Sequence, residues 1–185
     1  KLPAYDIEQH AVDRYLSLAR SVGGSSFEAV FRIDAAKASE SVKKKLKQKG
    51  VDGPFFVMVT RGRWQTKLWK DDRFIELAKR LNKDKKLFCL LAGSPAEKDG
   101  LGALASAIGP GAVNMAGETD LKELFALFSL SRFAVTVDSG PMHIAAAVGV
   151  PVLAVFGPTD PKRTGPYGAN HCVLVHAKLA CRPCF

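Results

Sequence analysis

Four short runs of apolar, β-rich residues, at positions 55–59, 87–91, 133–137 and 152–156, recur along this chain with amphipathic helical stretches between them. The runs are apolar at consecutive rather than alternate positions, so each strand must be covered on both faces. Strands of that kind, joined through helices, make a parallel sheet with helices on each side, and the fold class expected is α/β, a Rossmann-like doubly wound domain. Three of the helices have readable starts. One opens at Asp71, taken as the N-cap, and carries Phe74, Ile75, Leu77, Ala78 and Leu81; the next begins near Glu97 and carries Leu101, Leu104, Ala105 and Ile108. The third opens on Asp120 with Glu123 three residues on, the pattern of a capping box. Ligands of such sheets bind beyond the carboxyl ends of the strands, so the loops starting at Thr60, Ala92, Asp138 and Gly157 should share one edge.

The N-terminal quarter is less regular. Ile7, Ala11, Tyr15, Leu18, Ala19 and Val22 recur at helical spacing ahead of Gly23 and Gly24, which predicts an opening helix. Positions 27–33 alternate loosely, and 39–49 is a lysine-rich stretch with few apolar positions. A chain of 185 residues has room for one full domain. The organisation expected is a connecting helix over 1–24 followed by one domain over 25–185. The opening on Lys1 and the abrupt close at Cys181-Arg-Pro-Cys-Phe185 read as a piece of a longer protein. The longest nearly continuous apolar stretch, 144–156, is broken by Gly149 and Pro151 and falls short of the roughly 20 residues that span a membrane.

Chemistry concentrates in the loops at the shared edge. After the strand ending at Val137 comes Asp138-Ser-Gly-Pro-Met-His143, with Ser139 placed to cap and Pro141 suited to a first helical turn. The free N–H groups of that helix make an anion site, Asp138 can accept from sugar hydroxyls, and His143 can donate to a phosphate or hydroxyl. The competing reading is that Asp138 and Ser139 only cap the helix and His143 is a satisfied local histidine. The motif is not G-x-G-x-x-G, which argues against dinucleotide redox chemistry. The segment Thr60-Arg-Gly-Arg-Trp-Gln-Thr-Lys-Leu-Trp69 gathers two arginines and a lysine beside Thr60. A flexible ammonium suits a diphosphate that must bind and leave, so Lys67 is the first candidate for a pyrophosphate contact and Arg63 the second. A solvated basic loop anchored by Trp64 and Trp69 is the alternative. Glu97 can receive ribose hydroxyls or merely complement a helix dipole, and Thr119 falls at the same edge. The segment from Phe156 to Gly168, with three glycines and three prolines around Thr159 and Asp160, forms a stiff loop directly after a buried strand.

Taken in order, Asp138-Ser-Gly-Pro-Met-His143, Phe156-Gly-Pro-Thr-Asp-Pro161, Arg163-Thr-Gly-Pro-Tyr-Gly168 and the R-W-x-[ST]-K-x-W pattern of Arg63 to Trp69 resemble the lipopolysaccharide heptosyltransferase family over about residues 54–185. His10-Ala-Val-Asp-Arg-Tyr-Leu16 is similar to that family's interdomain connection. The resemblance implies a GT-B glycosyltransferase, two Rossmann-like domains facing across a cleft, of which this chain is the C-terminal, donor-binding one. Implied function is the binding of ADP-heptose for inverting transfer to the lipopolysaccharide inner core. Implied donor contacts are Lys67 on the phosphates, Glu97 on the ribose, Thr119 near the adenine, Ser139 and Gly140 on the pyrophosphate, and Asp138 and His143 on the sugar. Thr60 and Arg63 complete that set. The general base and the acceptor surface belong to the family's N-terminal half, so no catalytic residue is assigned here and this piece is expected to bind without transferring. Implied partners are the ADP-sugar and, through the other half, a lipopolysaccharide core or lipid A acceptor. No cofactor or metal is implied. Four cysteines, one of them Cys89 inside an apolar run, fit a reduced cytoplasmic compartment, and the family implies the cytoplasmic face of the inner membrane with peripheral association there.

Two other classes of function compete. A non-catalytic nucleotide-binding module fits the missing carboxylate, and a GT-B sugar-nucleotide epimerase is the enzymatic alternative. The net charge of +9 favours anionic partners, yet the lysines at 43, 44, 45, 47 and 49 lack interleaved aromatics and read as a solvated helix face, so no nucleic acid is expected. Cys181 and Cys184 have no second pair in the chain and carry no assignment.

Overall fold

Strand β1 (Phe55–Val59) is buried at all five positions and divides its side chains by parity: Phe55, Val57 and Val59 enter one apolar cluster, Phe56 and Met58 another. That division organises the computed structural model, which describes residues 6–25, 28–175 and 183. Strand β1 pairs with β2 (Phe88–Leu91) on one side and β4 (Ala134–Val137) on the other. With β3 (Ala112–Asn114), β5 (Val152–Phe156) and β6 (His171–Val175) they form one parallel sheet in the order β3-β2-β1-β4-β5-β6. The direction of succession reverses between β1 and β4, which opens a crevice at their carboxyl ends. Helices α2 (Ala36–Gln48), α5 (Leu121–Leu130) and α6 (Gly140–Ala147) cover one face through Val42, Leu46, Leu127, Phe128, Met142 and Ala145. Helices α3 (Asp71–Lys85) and α4 (Lys98–Ile108) cover the other through Phe74, Ala78, Leu101, Leu104 and Ile108. The doubly wound expectation therefore holds.

The differences have local causes. Helix α1 (Ala11–Ser21) starts later than the apolar spacing from Ile7 predicts, because His10 takes the N-cap position and its Nδ1 accepts the N–H of Val12. Positions 28–33 form no strand. The lysine-rich stretch is not only a solvated face, since Val42 and Leu46, four residues apart, are buried in the core. Asp71 is not the cap of α3. Lys70 holds that position, while the Asp71 carboxylate pairs with both terminal nitrogens of Arg61, at 2.5 and 2.8 Å, and is held below the usual carboxylate range by that hydrogen bond. A 3₁₀ turn over Pro95–Glu97 leads into α4, and the Asp120–Glu123 capping box opens α5 as expected. A last short helix, α7 (Pro161–Thr164), is capped by Asp160 and lies in the loop after β5. Cys89 is buried and its thiol pKa is pushed far up by burial; Cys181 and Cys184 lie outside the described residues. Among the described residues no helix is long and apolar enough to cross a membrane.

Candidate functional site

At the switch point the loops after β1, β4 and β5 close on one another. A Cβ on Gly62 would stand 3.7 Å from that of Ser139, and one on Gly157 would stand 2.9 Å from the carbonyl oxygen of Thr66. Glycine at 157 is what lets the β5 loop lie against the 3₁₀ turn Gln65–Lys67. This contact brings both Lys67 and Thr159 to Asp138. The buried Asp138 carboxylate takes the hydroxyl of Thr159 at 2.6 Å and the ammonium of Lys67, also at 2.6 Å, both on Oδ2. Asp138 is thus neither a helix cap nor an idle acceptor.

Ser139 occupies the N-cap position of α6, but its hydroxyl turns back to donate to the Val137 carbonyl at 3.2 Å. Among the described residues no side chain caps α6, so its opening amides face the crevice without a side-chain acceptor there. His143, in the first turns of the same helix, is exposed at the surface, with its ring only partly desolvated. Burial pushes its pKa below the ordinary value, Asp138 offsets part of that, and His10 and Lys67 add to the lowering. Glu97 Oε2 accepts from the backbone N–H and the hydroxyl of Ser94, at 2.6 and 2.8 Å, which spends one oxygen on the local turn. The Arg63 guanidinium lies over the Trp64 ring, 5.4 Å from its centroid.

Two cavities of about 480 and 490 Å³ adjoin along the start of α6. Lys67, Asp138 and His143 line the first, Glu97 and Thr119 the second, and Arg63, Ser139 and Gly140 line both. Every expected site residue except Thr60 therefore reaches this edge. Thr60 is fully buried, lines neither cavity, and leaves its hydroxyl without a partner among the described residues. Sequence reasoning flagged the β5 loop but singled out none of its residues for the site. Thr159, Asp160, Arg163 and Thr164 all line the first cavity, and their position directly after a buried strand was the available signal.

Comparison with known proteins gives the family of the chain. The model of Glycosyltransferase family 9 (heptosyltransferase) matches residues 3–185. Lipopolysaccharide heptosyltransferase 1 of Pseudomonas aeruginosa is 35% identical over 131 residues, covering 71% of this chain and 36% of that protein. Lipopolysaccharide heptosyltransferase 3 of Escherichia coli is 31% identical over 157 residues, covering 82% of this chain and 45% of that one. Among solved structures, E. coli heptosyltransferase WaaC with ADP superposes with a TM-score of 0.70 at 27% identity, over 91% of this chain and 51% of WaaC. A family 9 glycosyl transferase from Veillonella parvula shares the fold with a TM-score of 0.82 at 22% identity, over 95% of this chain and 51% of its own. The chain spans about half or less of the length of these relatives. It belongs to glycosyltransferase family 9, the heptosyltransferases.

Proposed function

We propose that this chain is the donor-binding half of a heptosyltransferase that takes ADP-heptose as donor and serves inverting transfer to a lipopolysaccharide core. The observation that carries this reading is the pair of cavities that share Arg63, Ser139 and Gly140 at the start of α6, with Lys67 lining the first and Glu97 and Thr119 the second. The diphosphate lies at the uncapped start of α6 beside Lys67 and Arg63, where amide dipoles and cations favour negative charge. The adenosine occupies the cavity of Glu97 and Thr119, and the heptose that of His143, Thr159 and Asp160. Relatives solved with ADP and with ADP-2-deoxy-2-fluoro heptose support the ligand class.

In this arrangement the chain binds the donor and stabilises the charge that grows on ADP as the glycosidic bond breaks. A general base for the acceptor hydroxyl comes from the other half, to which residues 1–24 connect. The acceptor is met there too, at the cytoplasmic face of the inner membrane. Titration calorimetry of the 185-residue chain with ADP and ADP-heptose tests the reading. Saturable binding of both, without sugar transfer, is expected. Binding of neither would overturn it.

A further inference from the structure

Helix α1 grips the loop after β5 at two points. The Nε2 of His10 lies 3.0 Å from the carbonyl oxygen of Gly165, and the hydroxyl of Tyr167 donates to Asp13 Oδ1 at 2.7 Å. The two rings also meet, with centroids 4.9 Å apart. Because His10 Nδ1 accepts the Val12 N–H, Nε2 is the ring nitrogen that carries a proton toward the Gly165 carbonyl. Asp13 keeps the Tyr167 phenol protonated above its ordinary range, so the donor role persists across neutral pH.

Two features separate this contact from general packing. No residue of α1 is buried, so the helix contributes nothing to either apolar cluster of the sheet. His10, Asp13 and Tyr167 line neither cavity of the site, while Asp160, Arg163 and Thr164, in the stretch they hold, form a wall of the first one. The loop is also short of slack, since the Gly165 N–H bonds the Pro161 carbonyl at 2.7 Å.

We infer that His10, Asp13 and Tyr167 are positioning residues, a clasp through which α1 holds the 157–168 loop in the shape that receives the sugar of the donor. Selectivity for the nucleotide sugar over the bare nucleotide then depends on a helix outside the site. The inference rests on the proposed reading of the first cavity, so its test carries one arm that needs no ligand. Tyr167→Phe removes the donor but keeps the ring against His10; Asp13→Asn keeps a carbonyl acceptor for the phenol. In hydrogen exchange on the ligand-free chain, Tyr167→Phe should speed exchange of the 157–168 amides about tenfold, with β1 and β4 unchanged, as expected for one lost hydrogen bond to a charged group. Affinity for ADP-heptose should fall about tenfold and that for ADP less than about twofold, with Asp13→Asn closer to wild type on both counts. Unchanged loop exchange, or acceleration spread into β1 and β4, overturns the clasp. Equal losses for the two ligands overturn its role in selectivity. If the wild-type chain binds neither ligand, the reading of the cavities fails, and the exchange arm still decides the clasp.

Discussion

Lys67 and Asp138 form an ion pair across the switch point of the sheet, with 2.6 Å between Nζ and Oδ2, although one belongs to the loop after β1 and the other to the end of β4. The carboxylate is buried and the ammonium is about one-fifth exposed, so each neutralises the other in a partly dry crevice.

Removing either partner should therefore cost stability as well as ligand affinity. Lys67→Met is expected to destabilise the fold by about 1 to 3 kcal/mol, below the full cost of orphaning a buried charge because Lys67 keeps some water. Asp138→Asn preserves an oxygen for Thr159 but leaves the ammonium facing an amide, and should cost a similar amount. The double variant should lose clearly less than the two single losses added together, by about 0.5 to 3 kcal/mol. Denaturant titration of the four proteins checks this. Additive losses would mean that the two groups do not interact in solution.

A second prediction concerns Glu123, which joins α5 to α2. Its carboxylate accepts from Lys45 Nζ and Ser41 Oγ, both at 2.7 Å, and from the Asp120 N–H at 3.1 Å. The Lys45 bond is the chief cause of its lowered pKa. Glu123→Ala should cost about 1 to 3 kcal/mol, more than an exposed ion pair, because a helix cap and a tertiary contact go together. A carboxylate with a depressed pKa contributes stability that is present above the ordinary glutamate value and lost as pH falls through the folded one. The gap between wild type and variant should accordingly hold from neutral pH down to the ordinary glutamate value of 4.5 and narrow only below it, as pH falls through the folded pKa. A gap independent of pH would assign the loss to packing alone.

Two-sided burial was legible for β1, whose consecutive apolar residues at 55–59 are all buried, and held only in part for 152–156, where Leu153 and Val155 stay half-buried. The edge strands were not legible. Strand β3 is three half-buried residues, too short to show a period, and β6 alternates half-buried and exposed positions in a His-Cys-Val-Leu-Val run beside a proline-rich loop. Val42 and Leu46 carried a usable sign of core contact, their spacing of four, but it was masked by the lysines around them. In the site, the residues could be gathered to one edge from the strand ends alone, whereas their contacts could not be read. Asp138 meets Lys67 only because the sheet order places β1 beside β4, and Thr159 meets Asp138 because β5 follows β4 in space. Thr60 is the reverse case: its place at a strand end predicts a ligand contact, yet the residue is fully buried and lines neither cavity.

Gly157→Ala should open the crevice. The added methyl would meet the Thr66 carbonyl at 2.9 Å, a backbone atom that moves only if the 3₁₀ turn carrying Lys67 moves with it. A loss of about 1 to 3 kcal/mol in stability is expected, together with weaker ADP binding from a displaced Lys67. Alanine at Gly100, where nothing lies within 4 Å, is the control and should be neutral or better in a helix. Equal behaviour of the two variants would show that the loops do not approach this closely.

His143 sets the pH dependence of the site. Its pKa is lowered chiefly by burial, so the unfolded chain takes up a proton more readily than the folded one. The folded state therefore keeps this contribution above the ordinary histidine value of 6.5 and loses it as pH falls through the folded pKa. An anionic ligand reverses the balance within the site, since a diphosphate near the ring favours the imidazolium and raises its pKa. Binding ADP should then draw a proton onto His143 when the pH lies between the free and bound values, and the affinity carried by this residue should rise as pH falls through that interval. ADP releases protons of its own when a terminal phosphate with a pKa of about 6 binds fully ionised, so the measurement must be a difference. Calorimetry at about pH 6 in buffers of unlike ionisation enthalpy gives the net uptake for wild type and for His143→Gln. The wild type should take up more protons per ADP bound than the variant. The same uptake in both would remove His143 from the neighbourhood of the diphosphate.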